Sequence, residues 1–258
     1  MNNIEEKLFL IDSLKNRIDK SNQFYINNFE FIKIEYFSEI IYNSKLAKGN
    51  SLTIKEIASF LLDGKKVAEK PENEYIQIED HKNALDYIER LSNKKMIELN
   101  ITDILNIHLI LMKNTIPDYA GKYRTTEAWI TLHNGEKVKT CDPSLLKCEM
   151  DNYFYWFLSE KSEHPIIFAA EAHNRFVGIH PFIDGNGRAG RLIMNLILMQ
   201  NGFLPVIIKS YKRTEYYDNA IISWKNGNKE DFYSYIIECE KSSLNRFLEK
   251  AQTSFNTR

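Results

Sequence analysis

The stretch His180–Pro181–Phe182–Ile183–Asp184–Gly185–Asn186–Gly187–Arg188–Ala189–Gly190–Arg191 leaves the chain few ways to fold around it. Proline disfavours helical geometry at the residue before it, so a helix arriving from upstream has to end at about His180. Beyond the glycines, Leu192–Ile193–Met194–Asn195–Leu196–Ile197–Leu198–Met199 reads as a helix apolar nearly all round, which must be buried. Two helices therefore meet across a short glycine-bearing loop. Successive N–H groups in such a turn form an anion-binding concavity, and the start of the second helix adds partial positive charge. Arg188 and Arg191, three apart, lie on one helix face and reach one anion together. Asp184 is an oxygen ligand of the kind Mg²⁺ takes alongside phosphates. His180 is placed to act as a general base near neutral pH. Polyphosphate, divalent cation and base converge on one short stretch.

The stretch resembles the signature of the Fic family, HPFx[D/E]GNGRxxR, and matches it at every specified position. The resemblance covers roughly residues 35–240 and is most specific over 164–191. It implies an all-α fold, a helical bundle with a small β-hairpin flap. It also implies a protein adenylyltransferase, moving AMP from ATP onto a Ser, Thr or Tyr hydroxyl of a target protein and releasing pyrophosphate. On that reading His180 takes the proton of the incoming hydroxyl. Asp184 and Mg²⁺ hold the α- and β-phosphates, cradled by the Gly185, Asn186 and Gly187 amides and the Asn186 side chain. Arg188 neutralises the β/γ end and Arg191 the γ-phosphate, while Phe182 plugs the loop into the core. Tyr216 and Tyr217 match an aromatic pair that lies near the nucleotide. Two alternatives stand beside this reading. One is a catalytically silent nucleotide-binding scaffold, which would be free to lose His180, yet His180 is present. The other is a Fic enzyme transferring UMP or phosphocholine. The phosphorylating branch carries a lysine where Gly187 stands, and no Walker lysine motif supports a P-loop enzyme.

The remaining chain reads mostly as helix. Residues 1–95 form an N-terminal helical segment, with Leu8, Ile11, Leu14 and Ile18 at helical spacing, and 96–258 form the catalytic core. Gly49 ends one helix, and Thr53 with Glu56 makes a capping box for the next. Lys70–Pro71–Glu72–Asn73 reads as a breaker, followed by an amphipathic helix over Asp80–Leu91 and another over Ile101–Met112. His108 and His173 are expected to be buried, hydrogen-bonded histidines rather than ligands. Asn134–Gly135, between Trp129–His133 and Glu136–Thr140, is a two-residue hairpin signal. In the family a hairpin here is the flap that holds the target's backbone by β-augmentation, so a target protein docked on residues 129–140 is the expected partner. Ser144–Ser159 and Glu230–Glu249 complete the helices, with a further one starting at Arg213.

Many Fic proteins carry an inhibitory helix, [S/T]xxxE[G/N], whose glutamate pairs with the second signature arginine. Aligned on Gly49–Asn50–Ser51–Leu52–Thr53, Ser44 takes the Ser/Thr place and Lys48 the glutamate place. Glu39 is the nearest upstream carboxylate and lacks the following glycine. An ammonium at 48 predicts a site that needs no activation, and it also suits the negative end of a helix dipole. Self-modification and a homodimer remain open. A net charge of −1 gives no nucleic-acid footprint. No apolar run approaches the roughly 20 residues of a membrane span. Three cysteines without paired spacing fit a reducing cytosol, so the expectation is a soluble, cytoplasmic protein, or one injected elsewhere.

Overall fold

A computed structural model describes residues 3–20, 23–46, 49–132, 134–159, 163–209, 220 and 229–255. Its helices are α1 (Asn3–Lys20), α2 (Gln23–Leu46), α3 (Ile54–Asp63), α4 (Glu72–Ser92), α5 (Ile101–Met112), α6 (Leu146–Leu158), α7 (Pro165–Ile179), α8 (Asn186–Gln200) and α9 (Glu230–Phe255). One antiparallel hairpin, β1 (Trp129–Thr131) and β2 (Lys137–Lys139), lies between α5 and α6. The all-α fold with a hairpin is thus as expected.

The α7–α8 pair is the axis of the bundle. From Ala189 to Leu198 every residue of α8 is buried, because its apolar surface is covered on one side by α7 and on the other by α4 and α5. Gly190 allows that closeness: a Cβ there would lie 3.0 Å from Val177 Cγ2 and 3.1 Å from His173 Cδ2. α6 and α9 cover the far side of α7, and α1 packs on α9 through Ile11, Leu14 and Ile18. α2 packs on α3 and α4. One apolar core runs through all of these, from Ile11 to Leu248. No helix among the described residues is long and apolar enough to cross a membrane.

Two local expectations change. α4 begins at Glu72, a full two turns before Asp80, since Pro71 acts as the N-cap residue and Glu72 and Glu74 face the helix's positive end. The hairpin pairs Trp129 with Lys139, Ile130 with Val138 and Thr131 with Lys137, so its loop has three residues, 133–135, rather than two. Gly135 N–H donates to Leu132 O at 3.0 Å, Leu132 N–H to Glu136 O at 2.9 Å, and Gly135 takes φ 84°. A left-handed glycine at the end of the loop is common in three-residue hairpin loops. The shift of one residue matters because it decides which side chains share a face. Here it sets Ile130 opposite the buried Val138; the two-residue turn would have set it opposite Lys139.

Candidate active site

The end of α7 determines where His180 points. His180 occupies the left-handed C-cap position, φ 55° and ψ 59°, and its N–H donates to Phe176 O at 3.0 Å. Pro181 has no N–H with which to extend the helix. The imidazole Nδ1 lies 3.3 Å from Val177 O, a group that can only accept, so Nδ1 carries the proton and Nε2 presents a lone pair. Burial, the main cause, pushes this histidine down to about 4, assisted by Arg124 and opposed by Asp184. It is neutral at pH 7.

Three braces hold the loop that follows. Phe182 is fully buried and stacks on His108, ring centroids 3.6 Å apart. His108 accepts Gly121 N–H at Nδ1 (2.9 Å), so Nε2 donates to Asp184 O (2.8 Å). The expected structural role of His108 is therefore met, and what it braces is the signature loop. Asn186 closes a ring with the Phe182 backbone, accepting its N–H at 2.9 Å and donating to its carbonyl at 2.7 Å. The Asn186 amide is thus engaged inside the loop through Oδ1 and one of its two N–H donors, and its backbone N–H stands at the start of α8. Gly185, at φ 81°, is the N-cap, and a Cβ there would meet Met112 Sδ at 3.0 Å. The third brace is Arg124. Its Nε donates to His180 O at 2.8 Å and its N–H to Pro181 O at 2.9 Å. Its guanidinium also donates to Thr126 O, Thr140 Oγ1 and Cys141 O, so one buried arginine ties the base of the hairpin to the loop.

A cavity of about 420 Å³ opens on this loop, lined by His180, Asp184, the first turn of α8, Arg188 and Arg191, and by Ser44 and Lys45 of α2. The N–H groups of Asn186, Gly187 and Arg188 have no acceptor within the helix, as at any helix start. Arg188 lies 3.8 Å from the Asp184 carboxylate. Arg191 Nε donates to Ser44 Oγ at 3.3 Å, so the helix expected to regulate the site touches the arginine expected to be its partner. His81 of α4 is buried behind these cations, and burial first, then Arg188, Arg191 and Lys45, hold it neutral. Among the described residues no three His, Cys or carboxylate side chains form a metal cage. A partly exposed carboxylate at the edge of a phosphate-sized concavity is what Mg²⁺ uses when substrate oxygens and water complete its shell, so Asp184 fits that ion.

The structure thus brings together His180, Asp184, Gly185, Asn186, Gly187, Arg188, Arg191 and Ser44. Tyr216, Tyr217 and Lys48 lie outside the described residues. Glu39, the alternative inhibitory carboxylate, is bound to Lys209 and to Arg246 of α9. Sequence reasoning assigned no part to Lys45, His81 or Arg124. Arg124 left only the Gly121–x–Tyr123–Arg124 run as a trace, and nothing local marks the other two.

A helical bundle whose central hairpin of helices sets a neutral histidine beside an anion-binding helix start defines a phosphate-handling domain. Residues 98–198 match the Fic/DOC family model, and the chain belongs to that family. It is 34% identical over 224 residues to a protein named Protein adenylyltransferase Fic of Nematostella vectensis, covering 84% of this chain and 50% of that one. The protein of the same name from Drosophila grimshawi is 33% identical over 218 residues, covering 84% of this chain and 44% of that one. The chain spans about half the length of these curated relatives. Among solved structures, Fic-1 from C. elegans superposes with a TM-score of 0.80 at 27% identity, covering 95% of this chain and 71% of that one. A Fic domain-containing signaling protein from Bacteroides thetaiotaomicron shares the fold, with a TM-score of 0.77 at 21% identity over 98% of this chain and 97% of that one.

Proposed function

We propose that the protein is an adenylyltransferase that moves AMP from ATP to a Ser, Thr or Tyr hydroxyl of a target protein. The observation that carries this is the shared cavity: His180, whose Nδ1 is turned to Val177 O, lines the same space as the start of α8 and its two arginines. The names of the curated relatives support the choice of AMP.

In the reaction the target hydroxyl oxygen bonds to the α-phosphorus, and the bond from that phosphorus to the bridging oxygen of pyrophosphate breaks. His180 Nε2 receives the hydroxyl proton. The departing pyrophosphate carries the negative charge, which Arg188, Arg191 and the first-turn amides of α8 stabilise. Catalysis here is mostly placement and charge stabilisation, as in phosphoryl transfer generally. Asp184 would hold a Mg²⁺ ion, which when bound would further neutralise phosphate charge. The hairpin, fastened to the loop by Arg124, presents a strand edge on which target backbone can dock. Cys141, Cys148 and Cys239 are all free thiols, which supports a cytoplasmic site of action.

His180→Ala should lower transfer by roughly 10²- to 10⁴-fold, the usual range for a general base, while Mg²⁺–ATP binding stays nearly intact. Intact-mass analysis after incubation with ATP reads the first and calorimetry the second. Transfer retained by a clean His180→Ala preparation would remove His180 as the base. A mass gain matching UMP or phosphocholine, from the corresponding nucleotide, would redirect the substrate.

A further inference from the structure

The last turn of α2 brings a third cation into the cavity. Lys45 is 5% exposed, lines the space shared by Asp184, Arg188 and Arg191, and donates to the Glu74 carbonyl of α4 at 3.0 Å. An ammonium has three N–H donors and no acceptor. Among the described residues that carbonyl is its one hydrogen-bond partner, and no carboxylate stands within ion-pair distance. The Glu74 carboxylate is instead held by Ser51, through N–H and Oγ, each at 3.0 Å. A buried ammonium without a counter-ion is costly, and a neighbouring guanidinium makes it costlier. Burial accordingly pushes Lys45 down to about 8, with Glu74 opposing and Arg188 adding to the fall.

A multiply charged anion in the cavity would reverse that cost. Position along the cavity says which part of the anion. Lys45 directly follows Ser44, whose Oγ accepts from Arg191 Nε at 3.3 Å, so the last turn of α2 meets the cavity on the side of α8 that carries the arginines. His180 enters the same cavity from the end of α7. We infer that Lys45 is a phosphate-binding residue, donating beside Arg188 to the terminal phosphate of a nucleoside triphosphate. The inference rests on the nucleotide reading of the site. It gives the N-terminal helices a part in substrate binding, and it makes the third phosphate a feature the site selects for. A nucleoside monophosphate has nothing at that end for Lys45 to hold.

The test is calorimetric binding of Mg²⁺–ATP and of AMP to the full chain, as wild type, Lys45→Met and Lys45→Arg. Lys45→Met should weaken ATP by roughly 10- to 100-fold, the range for a charge-assisted hydrogen bond, with AMP changed by no more than roughly twofold. Lys45→Arg should recover much of the ATP affinity. Equal loss of both ligands would make Lys45 a structural residue and overturn the assignment, as would unchanged ATP affinity in a wild type that binds it. If Lys45→Met does not fold, Lys45→Gln carries the same comparison. A wild type that binds neither nucleotide overturns the nucleotide reading itself, and the assignment of Lys45 with it.

Discussion

Holding His180 in the left-handed region costs a non-glycine residue roughly 1–2 kcal/mol, and α7 accepts that cost because the position ends the helix and turns the ring into the cavity. The same placement buries the ring and depresses it to about 4. The sign of the consequence is definite. A base must be neutral, protonation removes the acceptor, and the folded group resists protonation until well below the ordinary 6.5. The acid limb of the pH–rate profile for AMP incorporation should therefore be centred nearer 4 than 6.5, with little change between pH 6.5 and 8. A limb centred at 6.5 would show that the working imidazole is solvated and not held as described. His180, Asp184, Arg188, Arg191 and Phe182 could be read from the sequence because one short loop carries all of them. His108 and Arg124 act on that loop from 76 and 56 residues away, and contacts at that separation leave no spacing to read.

Periodicity found the helices because they bury apolar residues in one shared core, and it failed where a single residue set a boundary. Pro71 looked like a breaker and proved to be a starter; Asn134–Gly135 looked like a two-residue turn, but the Ile130–Val138 pairing selected a loop of three. For α2 the alignment with an inhibitory helix has partial physical support. Ser44 accepts from Arg191, and Glu39 is committed to Lys209 and Arg246 on the far side. The pattern's carboxylate is then missing from the chain, with Lys48 at its place. Lys48→Glu should supply it, engage Arg191 and compete with the terminal phosphate. The rate of AMP incorporation at saturating ATP should fall by roughly 5- to 150-fold, the usual size of a regulatory coupling. An unchanged rate in a folded Lys48→Glu protein would mean that this segment does not restrain the site.

Because one apolar core joins the N-terminal helices to α7, α8 and α9, buried ionisable groups anywhere in the molecule bear on a common stability. Histidines dominate the acid side. His108 and His180 titrate at about 4 and His173 at about 3, with His81 also held well below 6.5, all chiefly through burial. Each binds fewer protons folded than unfolded across that interval, so its contribution is intact above pH 6.5 and is lost as pH falls toward 4. For His108 alone the loss is on the order of 3 kcal/mol. Glu240 of α9 acts in the opposite sense. It is fully buried, accepts Leu204 N–H at 3.2 Å, and burial raises it from 4.5 to about 8. It binds more protons folded, so its contribution is intact below pH 4.5 and fades as pH rises through 8. Lys45, pushed down to about 8, acts in the histidines' sense only above that pH, so below it four groups falling on one side and one on the other place the maximum of stability near pH 6.5. Glu240→Gln keeps an acceptor for Leu204 and removes the titration. Urea midpoints at pH 5, 6.5 and 8 should therefore rise and then fall for the wild type. For Glu240→Gln they should rise and then level. A wild-type midpoint still climbing from pH 6.5 to 8 would show that Glu240 is ionised in the folded protein.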